Sequence, residues 1–163
     1  MFRKLEEIFY EIKNRLLQSG DLKRLVFYNN SDALTRAEPT FEEAEASIYI
    51  KPIIYVYEDS PEAGVSSFIS IGLIESIALD GSLSSSIKVS VACNREIWEM
   101  DNYRVRPLAI ISEIVDSLDN TKLQAAGKLV FRIAKEIYFN NDLVGYTLLF
   151  DIDEEKGGVV NEF

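Results

Sequence analysis

Histidine is missing from all 163 residues, and cysteine occurs once, as Cys93. Without histidine the chain lacks the usual general base near neutral pH and the commonest metal ligand, which removes most hydrolase, metalloenzyme and proton-shuttle mechanisms. A single thiol makes no intramolecular bridge, so the composition suits a reducing or disulfide-indifferent compartment. Positive charge is short as well: 17 Lys and Arg stand against 27 Asp and Glu, a net charge of -10. That balance opposes a broad phosphate-neutralising surface and tight nucleic-acid binding. No stretch is long and uncharged enough to cross a bilayer, and the start MFRKLEEIFYEIKNRLL carries charge every few residues, unlike a secretory signal. The expectation is a soluble protein made in the cytosol, with no membrane contact.

What is present is core-forming material. Hydrophobic residues make up 47% of the chain, with nine Phe, eight Tyr and one Trp, which argues against disorder and for one domain spanning residues 1–163. Phe2, Leu5, Ile8, Phe9, Ile12, Leu16 and Leu17 recur at helical spacing and predict an amphipathic helix over 3–18. Residues 22–28 form a short apolar piece whose type the pattern leaves open. The turn formers of 29–40 predict a loop, and FEEAEA after it suits one turn of helix.

From Ser47 to Tyr57 the run SIYIKPIIYVY is apolar on both faces and predicts a strand. Pro52 cannot donate to a ladder, which places this strand at an edge or at a bulge. An edge strand that is apolar on both sides calls for a cover, and a neighbouring subunit is a natural one. Alternation then predicts strands over 69–79 and 87–93, the first with a second face of small residues. Pro107 opens a second helix carrying Leu108, Ile110, Ile111, Ile114, Val115 and Leu118. Two final strands, over 128–139 and 144–152, complete the fold, and 153–163 reads as a flexible tail. The fold class expected is α+β, an antiparallel sheet of about five strands with two main helices packed on one face.

Few side chains suggest chemistry. Asp151 and Asp153, two apart on a strand, with Glu75 would serve a metal-dependent nuclease, but the glycines follow the acidic cluster instead of turning it, and a solvated acidic end is the better reading. Cys93 reads as a small core residue, and the serines lack a base. Contacts are better represented. Tyr49, Pro52, Tyr55 and Tyr57 lie on the doubly apolar strand; these tyrosines would equally line the cleft of a small-molecule or peptide binding module. Trp98, with Met100 and Tyr103, is a candidate anchor, and packing under the loop is the equal alternative. Arg104 and Arg106 flank Val105 and would present two cations to a partner. Glu42 and Glu43 belong to an acidic stretch, with eight acidic and two basic residues in 32–62, whereas 1–30 hold six basic and four acidic. Such opposite segments would meet head to tail between identical subunits.

The segments RLVFYNNSDALTRAEPT and IYIKP, then RVRPLAIISEIVDSLDN and GKLVFRIAKEIYFNNDLVGYTLLF, resemble the head-to-tail joining proteins of tailed bacteriophages over residues 22–152. They look most like tail terminator or tail completion proteins and the related neck ring proteins. The resemblance implies a ring-forming virion subunit between portal complex and tail, assembled in the host cytoplasm, with DNA passing through its channel without specific binding. Its expected partners are copies of itself and other neck, portal or tail proteins. It implies no enzymatic residues and no cofactor. The strong acidity suits a lumen along which DNA slides, since like charge disfavours phosphate contact.

Overall fold

The computed structural model describes residues 2–51, 66–79 and 82–153. Helix α1 (Phe2–Leu16) buries Leu5, Ile8, Ile12 and Leu16 while Arg3, Lys4, Glu6 and Glu7 face solvent, as the spacing predicts. Helix α2 (Gly20–Phe27) follows at once, because the Ser19 hydroxyl accepts the Leu22 N–H and caps a new helix start. This is the apolar piece that the pattern left open. Eight residues give only one repeat of the apolar face, Leu22, Leu25 and Val26. The 29–46 segment carries a single 3-10 turn (Ala33–Thr35) and helix α3 (Phe41–Glu45). In α3 the Thr40 side chain accepts the Glu43 N–H and the Glu43 carboxylate accepts the Thr40 N–H, a reciprocal capping box. Helix α4 (Arg106–Leu118) starts on Pro107, where a missing N–H costs nothing. Three helices therefore pack where two were expected.

Strands β1 (Ile48–Tyr49), β2 (Ser67–Leu79), β3 (Ser82–Asn94), β6 (Lys128–Tyr138) and β7 (Leu143–Asp153) form one sheet in the order β1-β2-β3-β7-β6. A small hairpin, β4 (Glu99–Met100) with β5 (Arg104–Val105), stands apart from it. All neighbours in the large sheet are antiparallel except β1, which runs parallel to β2 at Ile48–Ile69 and Tyr49–Ser70. This corrects the expectation for 47–57: the described strand is two residues long, and Pro52, Tyr55 and Tyr57 lie outside the described residues. The tail expected over 153–163 lies outside them too, from residue 154 onward.

Register puts the rows Ile69–Val91–Tyr146 and Ile71–Val89–Leu148 on one sheet face, and α1, α2 and α4 close over them in a single core. The opposite face is small and hydroxylated. Ser90 and Thr147 share a 2.9 Å hydrogen bond, Ser70 donates to the Lys51 carbonyl, and Phe68, Ala92 and Leu143 make a minor cluster with Tyr49 and Phe139. Gly145 is obligatory at the β3–β7 seam, where an added Cβ would lie 1.7 Å from the Val91 carbonyl oxygen. A bulge between Phe131 and Ile133 breaks the simple alternation of β6. Beyond it, Arg132, Ile133, Ala134, Lys135 and Glu136 are all exposed.

Candidate assembly interface

Between β3 and α4 the chain needs eleven residues to climb from the sheet to the helix layer, and the candidates Trp98 and Arg104 sit there, with Arg106 opening the helix. Asn94 ends β3 and its side-chain oxygen accepts the Glu96 N–H, opening a 3-10 turn (Arg95–Ile97). The β4–β5 hairpin follows, pairing Glu99 with Val105 and Met100 with Arg104. At its tip, Asn102 (φ 60) and Tyr103 (φ 58) both occupy the left-handed region. Asparagine tolerates that conformation and tyrosine pays for it, about 1–3 kcal/mol for a bulky residue. Tyr103 is also wholly exposed, at 105%.

The strained tip is held from below by Arg106, which is 0% exposed and has no carboxylate partner among the described residues. Its Nε donates to the Ile97 carbonyl at 2.8 Å, Nη1 to the Leu25 and Tyr28 carbonyls at 2.9 and 2.6 Å, and Nη2 to the Asn30 carbonyl at 2.7 Å. Its backbone N–H meets the Trp98 carbonyl at 2.8 Å, and the Asp101 N–H reaches the Ser31 carbonyl at 3.1 Å. One guanidinium thus ties the C-terminal end of α2, the 28–31 turn and the 95–106 loop. Burial pulls its pKa down, yet a guanidinium starts high enough to stay charged. The carbonyls of a helix C-terminus are a fitting counterpart for that charge. This corrects the expectation of two presented cations: Arg104 is exposed, and Arg106 is an internal strut.

The remaining candidates divide in the same way. Tyr49 packs edge-on against Phe68, centroids 6.3 Å apart, with the Lys51 ammonium 5.4 Å over its ring. Trp98 is half-buried and lines a shallow hollow of about 420 Å³ with Arg95, Glu96, Glu99 and Val144. Glu42 and Glu43 are exposed on α3 beside Phe41, itself 39% exposed. The basic residues of 1–30 and the acidic residues of 32–62 do meet, but within one chain. Lys13 pairs with Glu45 at 3.2 Å, Lys23 with Glu38 at 2.5 Å and Arg24 with Glu38 at 3.9 Å, while Arg36 pairs with Asp32 inside the second segment at 2.7 Å. The Lys23 ammonium lowers the Glu38 pKa and the Arg36 hydrogen bond lowers that of Asp32. Some of the charges expected to join subunits therefore hold the 38–45 segment to α1 and α2 instead. Glu42 and Arg104 have no ion-pair partner among the described residues.

Two of the groups weighed for chemistry, Cys93 and Asp151, are engaged within the fold. Burial pushes the Cys93 thiol up to about 11, opposed only weakly by the Ser67 hydroxyl 3.3 Å away and the Arg106 charge, so the nucleophilic thiolate is scarce at neutral pH. Asp151 is occupied by the Ser86 hydroxyl at 2.9 Å and by Arg132 at 3.2 Å. Among the described residues no three acidic or cysteine side chains gather as a metal site would require. None of their helices is long and apolar enough to cross a membrane.

Residues 19–152 match the YomW family. The chain belongs to that family. Among solved structures, a chain of the virion of a native gene transfer agent particle shares the fold of this YomW-family chain. It superposes with a TM-score of 0.53 at 15% identity, over 88% of this chain and 91% of that one. No curated protein matches the sequence.

Sequence reasoning missed two exposed residues beside the candidates: Phe41 and Leu108, the last 51% exposed. Of the residues grouped with Trp98 as an anchor, Tyr103 is exposed and Met100 is buried. Asp101 and Asn102 carry the turn-forming signal that marks a tip, whereas helical spacing places Leu108 in the buried stripe of α4.

Proposed function

We propose that this YomW-family chain is a structural virion subunit that closes into a ring at the head–tail interface and joins the portal complex to the tail around the DNA channel. The observation that carries the reading is the near full-length likeness, in both directions, to a chain of a gene transfer agent virion. At 15% identity that likeness is one of fold, and the virion role adds to it the sequence resemblance of residues 22–152 to head-to-tail joining proteins. The residue inventory agrees: a histidine-free chain with a protonated thiol offers surfaces in place of catalysis. With net charge -10, DNA would traverse the ring without being gripped. Its neighbours would be further copies and the unlike rings above and below.

Particle assembly in cells lacking this chain tests the proposal. DNA-filled heads and separate tails, rejoined when the chain is supplied, are expected. Complete, infective or gene-transferring particles formed without it would refute the joining role.

A further inference from the structure

Strand β6 is the last strand of the large sheet, and its outer edge changes character along its length. Before the bulge the chain covers that edge itself: the Leu129 N–H meets the Thr121 carbonyl and the Phe131 N–H meets the Asp119 carboxylate, each at 2.8 Å. Past the bulge the cover ends. The Phe139 N–H bonds the Leu143 carbonyl across the hairpin, so alternation turns the main-chain groups of Ile133, Lys135 and Ile137 towards β7 and those of Ala134, Glu136 and Tyr138 outward. These three make no outward main-chain hydrogen bond among the described residues. Apolar side chains accompany them, Ile133 at 43% exposure and Tyr138 at 67%. Unpaired main-chain donors and acceptors beside exposed apolar groups form a template for one more strand.

The end of the chain complements this edge. Residues 154–163 lie outside the described residues, and their last five read VVNEF. Laid antiparallel with Asn161 across from Glu136, they set Glu162 opposite Lys135, Val160 opposite Ile137, Val159 opposite Tyr138 and Phe163 opposite Ala134. Lys135 has no ion-pair partner among the described residues. Opposite charges and apolar pairs facing across a ladder stabilise it, and like charges destabilise it. Two β6 edges meeting antiparallel would instead set Glu136 against Glu136 where Ala134 pairs with Tyr138, or Lys135 against Lys135 where Ala134 pairs with Glu136. Nor can a chain lay this strand on itself. Strand β7 ends at Asp153 opposite Lys128, about 33 Å along β6 from Tyr138. The chain from Asp153 to Val159 spans at most about 22 Å.

We propose that residues 159–163 of one copy add a strand to residues 134–138 of β6 in the next, with Glu162 paired to Lys135. This rests on the ring reading and names a contact that would close it, since an edge receiving the end of an unlike segment is heterologous and repeats around a ring.

The test uses cysteine pairs in cells that make particles. In this register residues 135 and 162 face each other between hydrogen-bonded pairs, with Cα atoms about 4.5 Å apart, within disulfide reach. Full-length chains carrying Lys135→Cys and Glu162→Cys separately are produced together, and purified particles are treated with a mild oxidant and run on a non-reducing gel. The covalent dimer should be at least tenfold more abundant than from Lys135→Cys with Asn161→Cys, whose side chain points to the other face. With both changes in one chain, bands should climb past the dimer. A thermal melt of each variant checks that the subunit is intact. Dimer no more abundant than in the Asn161→Cys control, bands that stop at the dimer, or a link confined to one chain overturns this exchange while leaving the ring reading standing. Absence of the wild-type chain from particles overturns both.

Discussion

Arg104 and Arg106 are two residues apart and have opposite fates. Arg106 is withdrawn from water, and four main-chain carbonyls share its charge. Arg104 stands in solvent at the base of a strained tip. The difference is one of direction: in the β5 strand successive side chains point to opposite sides, but Arg106 already belongs to α4, whose first turn aims it between α2 and the 95–97 turn. A buried cation without its own acid is costly unless every donor is satisfied, so the inner region is intolerant of change, whereas the outer region has few contacts to lose.

Breaking the inner side should have the largest effect. Arg106→Met leaves four carbonyls without their donor and three chain segments untied, and we expect a loss of about 4 kcal/mol, a fall in Tm of roughly 10 °C by calorimetry. Arg106→Lys should recover only part of it, because one ammonium cannot reach four carbonyls in fork geometry. Gly145→Ala comes next. Its Cβ meets backbone at the β3–β7 seam, which cannot rotate away, and a loss of about 3 kcal/mol in urea unfolding is expected.

Cys93 lies on the inner side and gives a pH signature. Its folded pKa is raised to about 11, above the unfolded value, so the stability linked to its proton is complete below about pH 8.5 and is lost as pH rises towards 11. Alkylation at pH 8 should be at least a hundredfold slower in the native protein than in urea, and Cys93→Ala should flatten the alkaline loss of stability. The smallest effects belong to the outer side. Tyr103→Gly removes a left-handed tyrosine and should raise stability by about 0.5–1 kcal/mol, while Arg104→Ala should stay within about 0.5 kcal/mol. A large destabilisation by either would erase the distinction between the two regions.

The same contrast explains what was legible in the sequence. Long periodic elements were: α1, α4, β3, β6 and β7 follow from spacing, because burial on one face forces it. Helix α2 was not, since its cap at Ser19 and its eight residues give too short a repeat. Nor was the parallel pairing of β1, which depends on where a two-residue strand lands beside β2. The candidate surface was half legible. Exposure of Glu42, Glu43 and Arg104 agrees with their charge, but the burial of Arg106 is a tertiary fact: identical chemistry in YRVRP is sorted by the carbonyls that α2 offers from eighty residues away. Likewise, composition registered the opposite charge of 1–30 and 32–62, and only the fold reveals that Lys13 pairs with Glu45 and Lys23 with Glu38 inside the chain.

The proposal on which the rest depends is that this chain works as a repeated part of a virion and not as a free monomer with a reaction of its own. Quantitative mass spectrometry of purified particles, counting copies of this chain against the portal protein, tests it most directly. The account predicts a fixed multiple of copies per particle, consistent with one closed ring. Particles that carry none, or a scattered number that tracks expression level, would contradict it.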